Sequence, residues 1–244
     1  MSQALARSAM VAAAGELEGM RPEEILAWAA SSFAPRITFA TGFGIEGCVL
    51  IDMIAKGHLP IDLFTLDTGL LFEETYALWR RLEERYGLTI RAVRPLQSVE
   101  EQDRAHGERL FDRDPDRCCF LRKVEPLGRA LAGFDAWVSA IRRDQTKDRA
   151  HAGVLEEDLR FGLLKVNPLV SWTSQDVSEY VKQHDVPVNP LHEQGYPSIG
   201  CFPCTSRVLP GEDPRAGRWR GRIKTECGLH GRPQRPKASS SHPN

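Results

Sequence analysis

The chain has 244 residues, 41% of them hydrophobic and 27% charged, with a formal net charge of −1. That length suits one good-sized domain, or a domain with a functional tail. The near-zero charge supplies no global basic field for nucleic acid, and no apolar run approaches the roughly 18 residues of a membrane span, so neither partner is expected.

The N-terminus is Ala-rich but is interrupted by Arg7, Glu16 and Glu18, and it lacks the basic–apolar–small order of a signal peptide. A cytoplasmic location is expected, with the cysteines reduced or metal-bound rather than paired in disulfides. Residues 1–20 carry no strong pattern and read as a loose helix or arm. Arg21-Pro-Glu-Glu24 opens a helix, with Pro in its first turn and acids at its positive end. Arg36–Thr41 is a β-branched run and reads as a strand, broken by Gly42-Phe-Gly44 before a helix over Ile45–Ala55. Ile61–Leu66 is a second strand, ending in Asp67-Thr-Gly69. Glu73–Tyr86 reads as an amphipathic helix with Tyr76, Trp79, Leu82 and Tyr86 on one stripe. Thr89–Val93 and Asp135–Ile141 read as a third and fourth strand, Leu163–Val166 as a fifth, and Ser174–His184 as a further helix with Asp176 in its first turn.

Strands alternating with helices imply a Rossmann-like, mostly parallel sheet with helices on both faces. Ligands then belong at the carboxyl ends of the strands, where Thr41–Gly47 and Asp67–Phe72 lie. After His184 the chain turns rich in Pro, Gly, Arg and Cys through residue 234, an irregular segment suited to ligand contact.

Six cysteines need an explanation in an intracellular chain. Cys118 and Cys119 are adjacent, and Cys201-Phe-Pro-Cys204 is a CxxC. Four thiolates suit zinc or an iron–sulfur cluster. Adjacent thiols on a helix point about 100° apart, awkward for gripping one small ion but suited to separate corners of a cubane. The spacing therefore favours a cluster, with zinc and a redox dithiol left open. Asp114-Pro-Asp116 looks like a helix start, and Arg122 and Lys123 follow the pair as cations that could offset thiolate charge or orient an anion. Cys227 stands apart, beside Gly228 and among Arg222, Lys224 and His230. Cationic neighbours favour the thiolate, the nucleophilic form. Cys48, flanked by Val49 and Leu50, reads as a small buried hydrophobe.

Three stretches suit an anion. Thr38–Gly47 is a Gly-rich turn between strand and helix whose N–H groups can cradle a phosphate or sulfate, though it lacks the Gly-Lys-Ser/Thr ending of a Walker A loop. Arg142-Arg-Asp-Gln-Thr-Lys-Asp-Arg149 follows a strand and should lie at the same sheet edge. Arg215, Arg218, Arg220 and Arg222 crowd the segment before Cys227, as in a tail that closes over an anion and excludes water.

Taken together, these motifs resemble the assimilatory adenylyl-sulfate (APS) reductases of the APS/PAPS reductase family. The resemblance runs through Thr41-Gly-Phe-Gly-Ile-Glu46, Leu66-Asp-Thr-Gly-Leu-Leu-Phe-Glu-Glu-Thr-Tyr76, Cys118-Cys119 with Arg122-Lys-Val124, and Arg142-Arg-Asp-Gln145 with Arg149. It continues through Asn189-Pro-Leu-His192, Gly195–Thr205 around the CxxC, Gly211–Trp219 and Glu226-Cys-Gly-Leu-His230. Many members have Ser where Gly42 stands and Asp where Gly47 stands.

The resemblance implies an adenine-nucleotide α-hydrolase-like fold, a [4Fe–4S] cluster on Cys118, Cys119, Cys201 and Cys204, and Cys227 as the nucleophile. It implies that Thr41, Gly42, Gly44, Asp67, Lys123, Arg142, Arg149, Arg215, Arg218 and His230 contact the substrate. The domain layout expected is an N-terminal arm (1–20), an α/β nucleotide-binding and iron–sulfur domain (21–209), a mobile catalytic segment (210–231) and a disordered tail (232–244). The implied reaction reduces adenosine 5′-phosphosulfate to sulfite and AMP through a Cys227 S-sulfonate, with a thioredoxin- or glutaredoxin-type dithiol as reductant and self-association into a homo-oligomer left open. The family links the Cys-Cys and CxxC pairs to APS, with PAPS or dual specificity as the nearest alternative. An ATP-dependent tRNA thiolation enzyme would need an SGGxDS-type loop, which is absent. A zinc-stabilised nucleotide-binding regulator is the non-enzymatic alternative.

Overall fold

Apolar residues that alternate along each central strand decide the architecture. In the computed structural model, which describes residues 12–229, β1 (Ile37–Thr41) sends Phe39 to one face of the sheet and Ala40 to the other. β2 (Asp62–Leu66) splits Leu63 from Phe64 in the same way, and β4 (Ala136–Val138) splits Ala136 and Val138 from Trp137. A sheet that is apolar on both faces must be covered on both. Helices α1 (Pro22–Phe33), α2 (Ile45–Lys56), α3 (Glu73–Tyr86) and α8 (Ser174–His184) pack in the larger core through Leu26, Leu50, Leu82 and Val177. On the other face, α7 (Glu125–Leu131) supplies Leu127 and Leu131 to a second cluster with Phe64 and Trp137. Between them in sequence lie β3 (Arg91–Val93) and the short helices α4 (Val99–His106), α5 (Leu110–Arg113) and α6 (Pro115–Cys119).

The six strands run in the order β3-β2-β1-β4-β6-β5. All neighbours are parallel except β5 (Leu155–Asp158), which pairs antiparallel with β6 (Leu163–Val166). The chain moves outward from β1 through β2 to β3 and then returns to the other side of β1 with β4. That reversal opens a crevice outside the carboxyl ends of β1 and β4, the place where such sheets bind ligands.

Several expected elements change. The third strand begins at Arg91 rather than Thr89, and the fourth spans only Ala136–Val138 because the chain then leaves the sheet toward the crevice. Leu163–Val166 is the sixth strand, not the fifth. The extra strand, Leu-Glu-Glu-Asp, is an edge with one pairing partner, so it carries little of the apolar alternation that marks a strand in sequence. On α3 the buried stripe is Thr75, Leu78 and Leu82, with Tyr76, Trp79 and Tyr86 on its flank. Leu17, in the segment read as an arm, packs in the main core, while residues 1–11 and the tail 232–244 lie outside the described residues. Among the described residues no helix is long and apolar enough to cross a membrane.

One buried charge ties three helices together. Asp52 on α2 is fully buried and accepts hydrogen bonds from Tyr86 on α3 and Tyr180 on α8, each at 2.8 Å, with Lys56 Nζ at 2.9 Å. Burial opposes its charge, but Lys56, Tyr180 and Tyr86 outweigh it and hold the carboxyl below its ordinary range. Its contribution is therefore complete above the unfolded carboxyl pKa and is lost as pH falls through the lower folded value. Asp52→Ala leaves two tyrosine hydroxyls without their acceptor and is expected to cost about 3 kcal/mol. Chemical denaturation at neutral pH checks this, and the deficit against wild type should shrink in acid.

Candidate active site

At the end of β1 the backbone turns through Gly42, Phe43 and Gly44 into α2. Phe43 takes the left-handed region (φ 56°), with its ring buried and stacked 5.6 Å from Trp79. Its N–H donates to Thr41 Oγ1 at 3.1 Å, so the threonine side chain is engaged inside the turn. At Gly47 a Cβ would come within 2.9 Å of that oxygen, so any other residue there makes the Thr41 side chain shift. Gly44, at the N-cap of α2, has no side chain to cap the first N–H groups of the helix.

Asp67 follows β2, accepting from Tyr76 Oη at 2.7 Å, Arg94 Nε at 3.0 Å and Gly69 N at 3.2 Å. Burial opposes its ionisation, but these donors outweigh it and keep the carboxyl below its usual range. Arg142, beyond β4, is buried, and each guanidinium nitrogen already donates within the chain: to Glu46 at 2.7 Å, Asp144 at 2.9 Å and Ser174 at 2.9 Å. It braces the N-terminal ends of α2 and α8 around the crevice.

The cysteines come together from distant segments. Asp114 caps α6 by accepting from Arg117 N at 2.8 Å, and the helix widens into a π-turn over Phe120–Val124. Phe202 N donates to Leu70 O at 2.7 Å, which fixes the CxxC turn against the loop after β2. Cys118, Cys119, Cys201 and Cys204 thereby line one cavity, with Arg122, Lys123 and Trp219 also in its wall. Cys201 Sγ lies 3.4 Å from Thr68 Oγ1, and Arg122 Nε donates to Thr68 O at 2.5 Å. No three of the described His, Cys, Asp or Glu side chains are arranged to hold a single metal ion. Trp219 Nε1, buried in the cavity wall, has no acceptor among the described residues. Four cysteine sulfurs lining one cavity are a donor set that fits a thiolate-held metal group, zinc or an iron–sulfur cluster alike.

Burial pushes the Cys118 thiol up to about 11 and the Cys119 thiol up to about 12. Burial acts the same way on Cys201, but Lys123, the Thr68 hydroxyl and Arg218 outweigh it and draw that thiol below its ordinary value. Lys123 mirrors this: burial works against its charge, yet Cys201, Cys227 and Cys119 hold it above the ordinary lysine range.

The C-terminal segment folds over this cavity. Trp219 N donates to Cys204 O at 3.0 Å, and the Arg218 guanidinium lies 4.5 Å from the Trp219 ring centre. Glycine is needed at position 217, where a Cβ would meet the Ser206 carbonyl at 2.1 Å, and at Gly200 a Cβ would displace the Arg218 guanidinium, 2.2 Å away. Arg222 pairs with Asp112 and Lys224 with Asp116, next to the first cysteine pair. Glu226 sits between Arg149, at 2.9 Å, and Arg215, at 3.4 Å. Arg160, on the β5–β6 turn, donates to the carbonyls of Gly228 and Leu229, and Leu229 packs on the second apolar cluster.

The half-buried Cys227 is thus set among cations. Lys123 and Arg215 each lie within electrostatic reach of it and of Arg218, and Arg215 is within reach of Arg149 as well. Among the described residues, the buried Nε groups of Arg149, Arg160 and Arg218 have no acceptor. Unsatisfied guanidinium donors around a thiol are a ready site for a multiply charged oxyanion. Of the residues expected at the site, Lys123, Arg149, Arg215 and Arg218 converge here, Thr41 and Arg142 are engaged in bracing contacts, and His230 lies outside the described residues. Sequence reading missed Arg160, whose charged hairpin turn carries no motif, and gave no part to Glu226 although it stands beside Cys227.

Residues 36–207 match the phosphoadenosine phosphosulfate reductase domain. The chain is 48% identical over 207 residues to adenosine 5′-phosphosulfate reductase of Bacillus velezensis, covering 84% of this chain and 89% of that one. It is equally identical, at 48% over 220 residues, to phosphoadenosine 5′-phosphosulfate reductase of Gloeobacter violaceus, covering 89% and 91%. Its fold superposes on phosphoadenylyl-sulfate reductase from Candida auris, solved as a phosphate complex, with a TM-score of 0.74 at 34% identity, over 85% of this chain and 98% of that one.

Proposed function

The chain belongs to the phosphoadenosine phosphosulfate reductase family, and from that premise we propose that it reduces adenosine 5′-phosphosulfate to sulfite and AMP at Cys227. One observation supports the reading: the half-buried Cys227 thiol has three cations, Lys123, Arg160 and Arg215, within electrostatic reach, with Arg149 and Arg218 next to Arg215 and guanidinium donors left over for an oxyanion among the described residues. The crevice at the carboxyl ends of β1 and β4 takes the adenosine moiety, with the backbone of Gly42–Gly44 and the loop held by Asp67 as its walls. Lys123, Arg149, Arg215 and Arg218 hold the phosphosulfate oxygens.

The Cys227 thiolate attacks the sulfuryl sulfur. The bond from sulfur to the bridging oxygen breaks, and its electron pair leaves on the AMP phosphate. The cations stabilise charge as it builds on the leaving group. The product is a Cys227 S-sulfonate. A thiolate of a thioredoxin- or glutaredoxin-type protein then attacks the Cys227 sulfur and sulfite departs with the electron pair. The donor's second thiol resolves the mixed disulfide and restores Cys227. Sulfur gains two electrons, and the donor dithiol becomes a disulfide. Cys227 has no second free thiol beside it in sequence, which supports an external donor. Such chemistry belongs in a reducing compartment, and we assign it to the cytoplasm.

Cys118, Cys119, Cys201 and Cys204 would hold a [4Fe–4S] cluster, supported by their shared cavity and all-sulfur donor set. When bound, the cluster would supply a fixed charge centre beside Lys123.

PAPS remains a second reading, because relatives of equal identity carry both names. Steady-state assays with a thioredoxin-type donor separate the two. The APS reading expects kcat/KM for APS to exceed that for PAPS by about tenfold or more. A ratio reversed in favour of PAPS would replace APS as the substrate.

A further inference from the structure

The anion site is already occupied by the protein's own carboxylate. Glu226 Oε2 accepts from Arg149 Nη2 at 2.9 Å and lies 3.4 Å from Arg215 Nη2. The three side chains are only 12%, 14% and 21% exposed for Arg149, Glu226 and Arg215, so this is a half-dry contact rather than a surface ion pair. Arg215 also donates to Thr225 O at 2.8 Å, which holds the backbone just ahead of Glu226. Glu226 Oε1 also lies 2.9 Å from Arg149 Nη2, so both carboxylate oxygens crowd one nitrogen while Arg149 Nη1 donates to Gln145; among the described residues the buried Arg149 Nε has no acceptor and Oε1 receives no well-aligned hydrogen bond. A single carboxylate satisfies this pair of guanidiniums incompletely.

We propose that Glu226 is a displaceable stand-in for the substrate's anion, and that its exchange for that anion positions Cys227 for attack. The proposal rests on the reductase reading, in which Arg149 and Arg215 hold phosphosulfate oxygens. Like charges a few ångströms apart in a half-buried site repel strongly, so the substrate's anion and Glu226 do not share the two arginines. A phosphosulfate offers more acceptor oxygens than a carboxylate and can engage the Arg149 Nε left over.

The exchange has a mechanical consequence, because Glu226 is bonded to Cys227. On the other side of the thiol, Arg160 grips the Gly228 and Leu229 carbonyls, and Leu229 is anchored in apolar contacts. Between the two grips lies Gly228, whose φ of 87° suits glycine. Releasing Glu226 leaves the Thr225 carbonyl, held by Arg215, as the remaining tie just ahead of it, so that side of Cys227 loosens while the other stays seated and the thiol turns about Gly228. Glu226 is thereby a positioning residue, acting through Cys227.

The test uses the full, cluster-loaded chain and ADP, which carries a terminal phosphoryl group in place of the sulfuryl group and cannot form the S-sulfonate. In Glu226→Gln, ADP should bind about tenfold more tightly by calorimetry. Cys227 should also react faster with iodoacetamide in the absence of nucleotide. In an Arg149→Gln background the gain from Glu226→Gln should disappear, since the exchange runs through that arginine. Unchanged ADP affinity in Glu226→Gln overturns the proposal. So does a gain that survives in full without Arg149, or Cys227 alkylation equal to wild type, either of which makes Glu226 a bystander charge. Failure of ADP to bind wild type and variant alike takes down the reductase reading together with the exchange. Equal binding to both takes down the exchange alone.

Discussion

Cys227→Ser is expected to lower turnover by at least about 10³-fold while leaving the bound cluster and ADP affinity as in wild type. The serine hydroxyl is nearly isosteric but is a far weaker nucleophile at neutral pH, and a serine sulfate ester could not be released by thiol attack on oxygen. The loss should fall on chemistry, because the substitution leaves unchanged Lys123, Arg149, Arg215 and Arg218, the residues proposed to hold the oxyanion. Single-turnover rates beside ADP titrations separate the two. A variant that keeps substantial activity would mean that another group attacks sulfur.

The second large effect is expected at the cysteine cavity. Cys201 is buried, contacts Thr68 and lines the cavity with the other three thiols. Cys201→Ala should abolish iron retention, taking about four iron and four sulfide per chain to near zero, together with the visible absorbance of the cluster. It should also lower the unfolding temperature, since a bound group stabilises only the folded state. Cys48→Ala is the matched control. Cys48 is equally buried, but it sits in the main core, and burial raises its thiol pKa far above the ordinary value. That variant should keep its iron. Zinc in the purified wild type, or iron retained by Cys201→Ala, would overturn the cluster assignment.

Legibility in the sequence followed how local each cause was. α3 begins and ends as expected, at Glu73 and Tyr86, because its amphipathic pattern and the Gly87 cap lie within the segment. α8 matches over Ser174–His184 because Thr173 and Asp176 form a local capping box. β5 was not legible: its pairing with β6 is what makes Leu-Glu-Glu-Asp a strand. The cysteines were visible as two pairs, but their shared cavity depends on Phe202 reaching Leu70 and on Trp219 reaching Cys204. Glu226 and Arg149 are 77 residues apart, and no spacing rule connects them. Arg142 shows the reverse: clustered with arginines in sequence, it is engaged in the fold by Glu46, Asp144 and Ser174. Lys123 was legible as a cation near thiols, but its position between the cavity and Cys227 comes only from the closure of the C-terminal segment.

The central claim is that Cys227 takes the sulfuryl group directly from the nucleotide. Anaerobic incubation of the cluster-loaded protein with sulfur-labelled APS and no dithiol, followed by peptide mass analysis, tests it in one step. The account predicts one labelled sulfonate per chain on the peptide carrying Cys227, AMP released in equal amount, and label discharged as sulfite when a thioredoxin-type dithiol is added. A loaded protein that binds APS but leaves Cys227 unmodified, or carries the label on another residue, would contradict it.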